Sequence, residues 1–117
     1  MIEDKISGLI GLALRQGAVS VGTNPTLDLI RKKKAELVLL DKSASENTKK
    51  RLQNACEHYE VPLYYVNESL IEKASGKVNR MAVAFPKGNG ISKEILKLAG
   101  GLDTLPPDAN TEVQING

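Results

Sequence analysis

The run Leu37-Val38-Leu39-Leu40 is the stretch of this sequence that decides its fold. Four consecutive apolar residues are too few for a helix, and they lack the alternation expected of a strand with one face in water. A strand that is buried on both faces has this composition, because helices then cover the sheet on both sides. The run therefore predicts a central strand in a layered α/β fold.

The segments around this run alternate between helical and strand-like patterns. Apolar periodicity and start signals predict helices at 2–15, 25–33, 68–74 and 91–98. They predict a further helix after Ser43 that buries Leu52, Ala55, Cys56 and Tyr59. Short apolar runs predict further strands at 18–21, 61–66 and 81–85. This alternation predicts a central sheet covered by helices on both faces.

Local signals predict where two of the helices begin. At the second helix, Asn24 is predicted to be the cap and Pro25 to take the first helical position, where a missing N–H costs nothing. Ser43 and Glu46 lie three residues apart and predict a capping box for the third helix.

Length and charge indicate one domain followed by an acidic tail. The chain has 117 residues, 41% of them hydrophobic and 26% charged, and we place a single α/β domain at residues 1–99. That stretch holds all 16 Lys and Arg residues and 11 of the 14 acidic residues, a net charge of +5. Residues 100–117 carry three acids and no base, and their composition predicts disorder.

The composition also indicates the cellular compartment and the class of partner molecule. One cysteine and the lack of a long apolar run argue against a disulfide scaffold, secretion and membrane insertion, so we expect a cytoplasmic protein with no membrane partner. The basic body suggests a polyanionic partner without establishing one.

The sequence offers no set of residues suited to catalysis, metal binding or a cofactor. Cys56 lies in the apolar stripe of the third helix, where a small core residue is expected, and His58 lies about 200° around that helix from it. Gly88-Asn89-Gly90 resembles the start of a dinucleotide fingerprint, but Lys93 stands where the third glycine belongs. We therefore expect no enzymatic activity, no cofactor and no metal.

Two features favour a nucleic-acid ligand. Gly22-Thr23-Asn24 lies at a strand-to-helix junction, where free N–H groups and the helix dipole attract phosphate. The alternative is that Asn24 only caps its helix.

The second feature is the basic cluster of Arg31, Lys32, Lys33 and Lys34, whose alternative role is to complement the helix dipole. With three Tyr, one Phe and no Trp, base stacking is disfavoured, and structured RNA fits better.

The order of several short motifs resembles the ribosomal family that includes the archaeal kink-turn-binding large-subunit protein and its small bacterial relatives. The resemblance covers nearly all of residues 2–98, and no single motif is diagnostic. The motifs are Leu9-Ile10-Gly11-Leu12-Ala13, Val21-Gly22-Thr23-Asn24, the segments 35–41 and 41–50, Val61-Pro62 and Ala82-Val83-Ala84. The resemblance implies a three-layer α/β/α sandwich with a mixed, roughly four-stranded sheet, and it implies RNA binding.

In that family, the junction reads Gly-Thr-Asn-Glu with a lysine three residues beyond the glutamate, and these side chains read guanines of a kinked RNA. Gly22, Thr23 and Asn24 match this pattern, whereas Pro25 replaces the glutamate and Asp28 replaces the lysine. Proline has no side-chain hydrogen bond to offer, and Asp28 can pair with Lys32 four residues on. Both changes weaken base-specific reading.

We hypothesise an RNA-binding protein, ribosome-associated or bound to a structured, kink-turn-like RNA, that is a monomer when free. The predicted contact residues form one positive surface and comprise Gly22, Thr23, Asn24, Arg31, Lys32, Lys33, Lys34, Lys77, Val78 and Arg80. The alternative is a protein-interaction module on the same fold, in which RNA recognition is weakened or lost.

Overall fold

The computed structural model describes residues 2–104, which form five helices and four strands. In chain order these are α1 (Ile2–Arg15), β1 (Ser20–Val21), α2 (Thr23–Arg31), β2 (Ala35–Asp41), α3 (Glu46–Tyr59), β3 (Leu63–Val66), α4 (Leu70–Ser75), β4 (Ala82–Pro86) and α5 (Gly90–Ala99). The predicted alternation of helices and strands is confirmed.

The four strands form one mixed sheet in the order β1-β4-β2-β3. β4 pairs antiparallel with both β1 and β2, while β2 and β3 are parallel. β2 and β4 are therefore the inner strands, and β1 lies at one edge beside the start of α2.

The run Leu37-Val38-Leu39-Leu40 in β2 is buried on both faces, as predicted. Leu37 and Leu39 pack into an apolar cluster with α1, α4 and α5, and Val38 and Leu40 pack into a second cluster with α2 and α3. All four side chains are fully buried. The alternation of side chains along β2 thus divides the core between two helical layers, which confirms the three-layer α/β/α sandwich.

The second helix begins two residues earlier than its sequence signals predict. Gly22 is the N-cap, with φ 110°, and no side chain caps the helix. The prediction that Asn24 is the cap is therefore wrong. Pro25 is the third helical residue, and its missing N–H still costs nothing because the first helical hydrogen bond runs from Thr26 N–H to Gly22 O, at 3.0 Å.

The capping box predicted for the third helix is also wrong. Ser45 is the N-cap, and its hydroxyl accepts a hydrogen bond from Thr48 N–H at 3.2 Å. Ser43 is instead held by the buried Asp41 carboxylate, which accepts bonds from its N–H (2.7 Å) and its hydroxyl (2.6 Å). The same carboxylate accepts Ser69 N–H at 3.0 Å, so Asp41 ties the loop after β2 to the loop after β3.

The chain does not leave the fold at residue 100, so the predicted disordered tail is wrong for its first residues. Tyr65 N–H donates to Asp103 O at 2.8 Å, which places Asp103 along the outer edge of β3. The Asp103 carboxylate also lies 3.3 Å from Lys42 Nζ. An edge strand has unpaired donors, and this segment satisfies one of them. Residues 105–117 of the predicted tail lie outside the described residues.

Candidate nucleic-acid interface

The junction between β1 and α2 is fixed by one backbone hydrogen bond to the neighbouring strand. Gly22 N–H donates to Ala82 O at 2.8 Å. Ala82 is the first residue of β4, so this bond places the N-terminus of α2 beside the loop that enters β4. Two of the sequence elements predicted to contact RNA therefore meet here.

Gly22 allows this close approach because of its backbone conformation and its small size. Its φ of 110° is one that residues with a side chain rarely adopt. A Cβ placed on Gly22 would lie 3.3 Å from Arg80 Cδ. The aliphatic part of the arginine thus packs directly over the glycine.

The junction and the loop together enclose a cleft of about 370 Å³. We call this the junction cleft, and it is lined by Val21, Gly22, Thr23, Asn24, Pro25, Asn79 and Arg80. The first-turn N–H groups of Thr23 and Asn24 have no acceptor within the helix, and they carry the positive end of its dipole. With the Arg80 guanidinium on the other wall, the cleft has two independent sources of positive potential.

The Asn24 side chain is exposed and makes no capping bond. Its amide can therefore both donate to and accept from a ligand. An amide of this kind can form a bidentate pair with a base edge. The structure thus argues against the alternative that Asn24 only caps its own helix.

The loop that carries Arg80 is held by a carboxylate on α4. Asn79 has a left-handed backbone (φ 59°), and its N–H donates to the Glu72 carboxylate. Lys77 N–H donates to Ser75 Oγ at 3.2 Å. Val78, at the tip, is 73% exposed. An exposed apolar side chain between two cations is suited to contact a base beside its phosphate.

The residues of the basic cluster at the end of α2 differ in their partners and in the surfaces they line. Lys32 Nζ lies 2.9 Å from Asp28 Oδ2, which confirms the predicted pair. Both side chains are more than half exposed, so the pair adds little stability, but it neutralises the middle of the exposed helix face. Arg31 follows Asn24 by seven residues, which puts both on one face about 10 Å apart.

Lys33 and Lys34 follow the end of α2, where the chain reverses direction. Lys33 N–H donates to Ile30 O at 2.9 Å and Lys34 N–H to Leu29 O at 3.2 Å, the bond pattern of a Schellman helix end. Lys33 has φ 61° and lines a different cleft. Lys33 therefore lies outside the junction cleft, because a left-handed residue reverses the chain after the helix, and a continuous surface that includes Lys33 and Lys34 stays a prediction.

Cys56 and His58 were weighed for catalysis and metal binding, and the structure places neither of them in a reactive site. Cys56 is 3% exposed, and burial raises the pKa of its thiol to about 12, so it stays a neutral core residue, as predicted. His58 is exposed and packs edge-on against Tyr59. Within residues 2–104, no three His, Cys, Asp or Glu side chains are grouped to hold a metal, and no helix is long and apolar enough to cross a membrane.

Sequence reasoning missed two residues of this interface. Glu72 holds the loop from another element, seven residues away, and no local pattern in the sequence indicates that contact. Asn79 also lines the cleft, and its position depends on how β4 pairs with its neighbours, which no local pattern in the sequence indicates.

Comparison with known proteins agrees with this architecture. A model of the ribosomal protein L7Ae/L30e/S12e/Gadd45 family matches residues 4–96. The chain is 36% identical, over 100 residues, to the RNA-binding protein YlxQ of Enterococcus faecium, covering 85% of this chain and 95% of the relative. It is 34% identical to YlxQ of Bacillus subtilis over 91 residues, covering 77% and 90%.

Two solved structures have a similar fold. A Bacillus halodurans protein of unknown function superposes with a TM-score of 0.74 and 28% identity, covering 82% of this chain and 97% of the other. The 15.5kD RNA binding protein of Giardia lamblia superposes with a TM-score of 0.70 and 19% identity, covering 85% of each chain. At that identity, the second likeness concerns the fold alone.

If Glu72 orders the loop, Glu72→Ala will accelerate hydrogen exchange at the Asn79 amide. We expect about tenfold or more, because a hydrogen bond to a charged acceptor contributes roughly 1.5 kcal/mol or more. Exchange is measured by NMR. Glu68→Ala, at an exposed carboxylate in the turn before α4, is the charge-matched control and should leave the amide unchanged. Equal rates in both variants would show that Glu72 does not hold the loop.

Proposed function

Because the chain belongs to the ribosomal protein L7Ae/L30e/S12e/Gadd45 family, we propose that it is an RNA-binding protein that binds structured RNA at the junction cleft. The observation that carries this proposal is the position of Arg80 beside the N-terminus of α2. A guanidinium and a helix N-terminus that face one cleft are suited to hold a phosphate.

The similarity to bacterial RNA-binding proteins supports the same conclusion. Both YlxQ relatives align over most of their own length, so the similarity extends beyond one motif. The family includes ribosomal proteins, which makes ribosomal RNA the first natural ligand to test. We propose that the chain binds this RNA as a monomer in the cytoplasm.

The cleft favours phosphate contacts over base reading. Asn24 retains an amide for a base edge, but Pro25 offers no polar side chain. Asp28 stands where the family has a lysine, and its charge is neutralised by Lys32, so position 28 offers no ammonium to a guanine. We therefore propose that the chain recognises RNA mainly by the placement of its phosphates, with a reduced preference for kink-turns.

Salt dependence tests this function directly. Affinities are measured for a kink-turn RNA and for an unkinked duplex of equal length over a salt series. Each phosphate contact contributes about −0.7 to −0.9 to the slope of log K against log salt concentration. We expect Arg80→Gln to make the slope shallower by that amount for both RNAs, because it removes one contact.

Lys97→Gln, on the exposed face of α5, removes the same charge far from the cleft and should leave the slope unchanged. Absence of binding by the unsubstituted chain at micromolar concentration, or a flat salt dependence, would contradict the proposal. In that case the protein-interaction alternative is favoured, and a protein that copurifies without RNA would support it.

Reintroducing the family side chains should restore base reading. The double change Pro25→Glu and Asp28→Lys supplies a carboxylate and a free ammonium on the exposed face of α2. Because a good base contact discriminates by about 1–3 kcal/mol, we expect the preference for the kink-turn RNA over the duplex to rise at least about fivefold. An equal gain for both RNAs would indicate added charge only, and no gain would show that Asn24 is not placed to read a base.

A further inference from the structure

A second cleft with basic walls lies at the opposite end of α2. It has a volume of about 480 Å³, and Lys33, His58, Glu60 and Lys87 are among its lining residues. We call it the distal cleft. One wall is the loop after α2, another is the C-terminal end of α3, and the third is the loop after β4.

Pairing within the sheet brings the two lysines of this cleft together. Lys87 N–H donates to Lys34 O at 2.8 Å, and Ala35 pairs with Pro86 at the adjoining end of the ladder between β2 and β4. The loop after α2 is thereby joined to the loop after β4. Lys33 and Lys87 are far apart in sequence, yet they face the same cavity.

The cations around the distal cleft lack acidic partners. Within residues 2–104, Lys32, Lys42 and Lys49 form ion pairs with carboxylates, whereas Lys33 and Lys87 form none. Among the described residues that line the cavity, Glu60 is the one carboxylate, beside two lysines. Two ammonium groups against one carboxylate give the cavity a net positive potential, which attracts an anion.

We propose that the distal cleft is a second phosphate-binding site that extends the RNA footprint beyond the junction cleft; this inference rests on the proposed function. Lys33 and Lys87 hold phosphates of the same RNA whose internal loop occupies the junction cleft. Arg31 is exposed on the last turn of α2, two residues before Lys33.

The separation of the two clefts determines which RNAs reach both. Gly22 is bonded to Ala82 at one end of β4, and Lys34 is bonded to Lys87 just beyond the other end. Five residues of extended chain span about 16 Å. A duplex of more than about six base pairs covers this distance, so an RNA with short flanking helices occupies the junction cleft alone.

The test compares two RNAs that share one internal loop, one with short flanking helices and one with each helix extended by about ten base pairs. The variant is Lys33→Asn with Lys87→Gln, because asparagine tolerates the left-handed backbone at position 33. Lys93→Gln with Lys97→Gln is the matched control, since both lysines are exposed on α5 in the opposite helical layer.

We expect the cleft variant to bind the long RNA more weakly, with a salt slope shallower by about 1.4 to 1.8, and to bind the short RNA as the unsubstituted chain does. The control variant should match the unsubstituted chain on both RNAs. An unchanged slope on the long RNA, or an equal loss in the control, would overturn the second site and leave the junction cleft intact. If the unsubstituted chain binds neither RNA, the proposed function fails and this inference fails with it.

Discussion

The hydrogen bond from Gly22 N–H to Ala82 O joins the two halves of the candidate interface. β4 is an inner strand, paired antiparallel on both sides, so the positions of its ends are set by the sheet core. The loop that enters β4 carries Arg80, and the same strand end accepts the turn that starts α2. The buried sheet therefore fixes the position of the interface. The side chains of the interface themselves belong to a loop or to a helix end.

Charge along α2 is arranged in three zones. The N-terminus carries a dipole without a side-chain cap, and the middle of the exposed face is neutralised by Asp28 and Lys32. The C-terminal end is followed by Lys33, which forms no ion pair within the part of the chain that the structure describes. This pattern suits a ligand with regularly spaced charge better than a small anion, because the cations lie at both ends of the helix. It also explains why a modest net charge on the domain is compatible with binding a polyanion.

The layers of the fold could be predicted from the sequence because a strand that is buried on both faces consists of consecutive apolar residues. Leu37 to Leu40 shows that pattern, and the alternation of helices around it predicts the sandwich. The candidate site was predicted in part: the junction and the loop before β4 were identified, but their contact depends on strand pairing between distant segments. Lys33 lines the distal cleft, and this could not be predicted because its left-handed conformation occurs at a position where sequence signals favour glycine. Asp103 was assigned to the tail because composition does not reveal the edge hydrogen bond it makes to Tyr65.

The most direct test of the central claim is to map backbone amide shifts by NMR as a structured RNA is added. The account predicts that the largest shifts occur at Gly22, Thr23, Asn24 and Arg80, because those groups line the junction cleft. Shifts confined to α1 and α5, around Leu9 and Leu98 in the opposite helical layer, would contradict it.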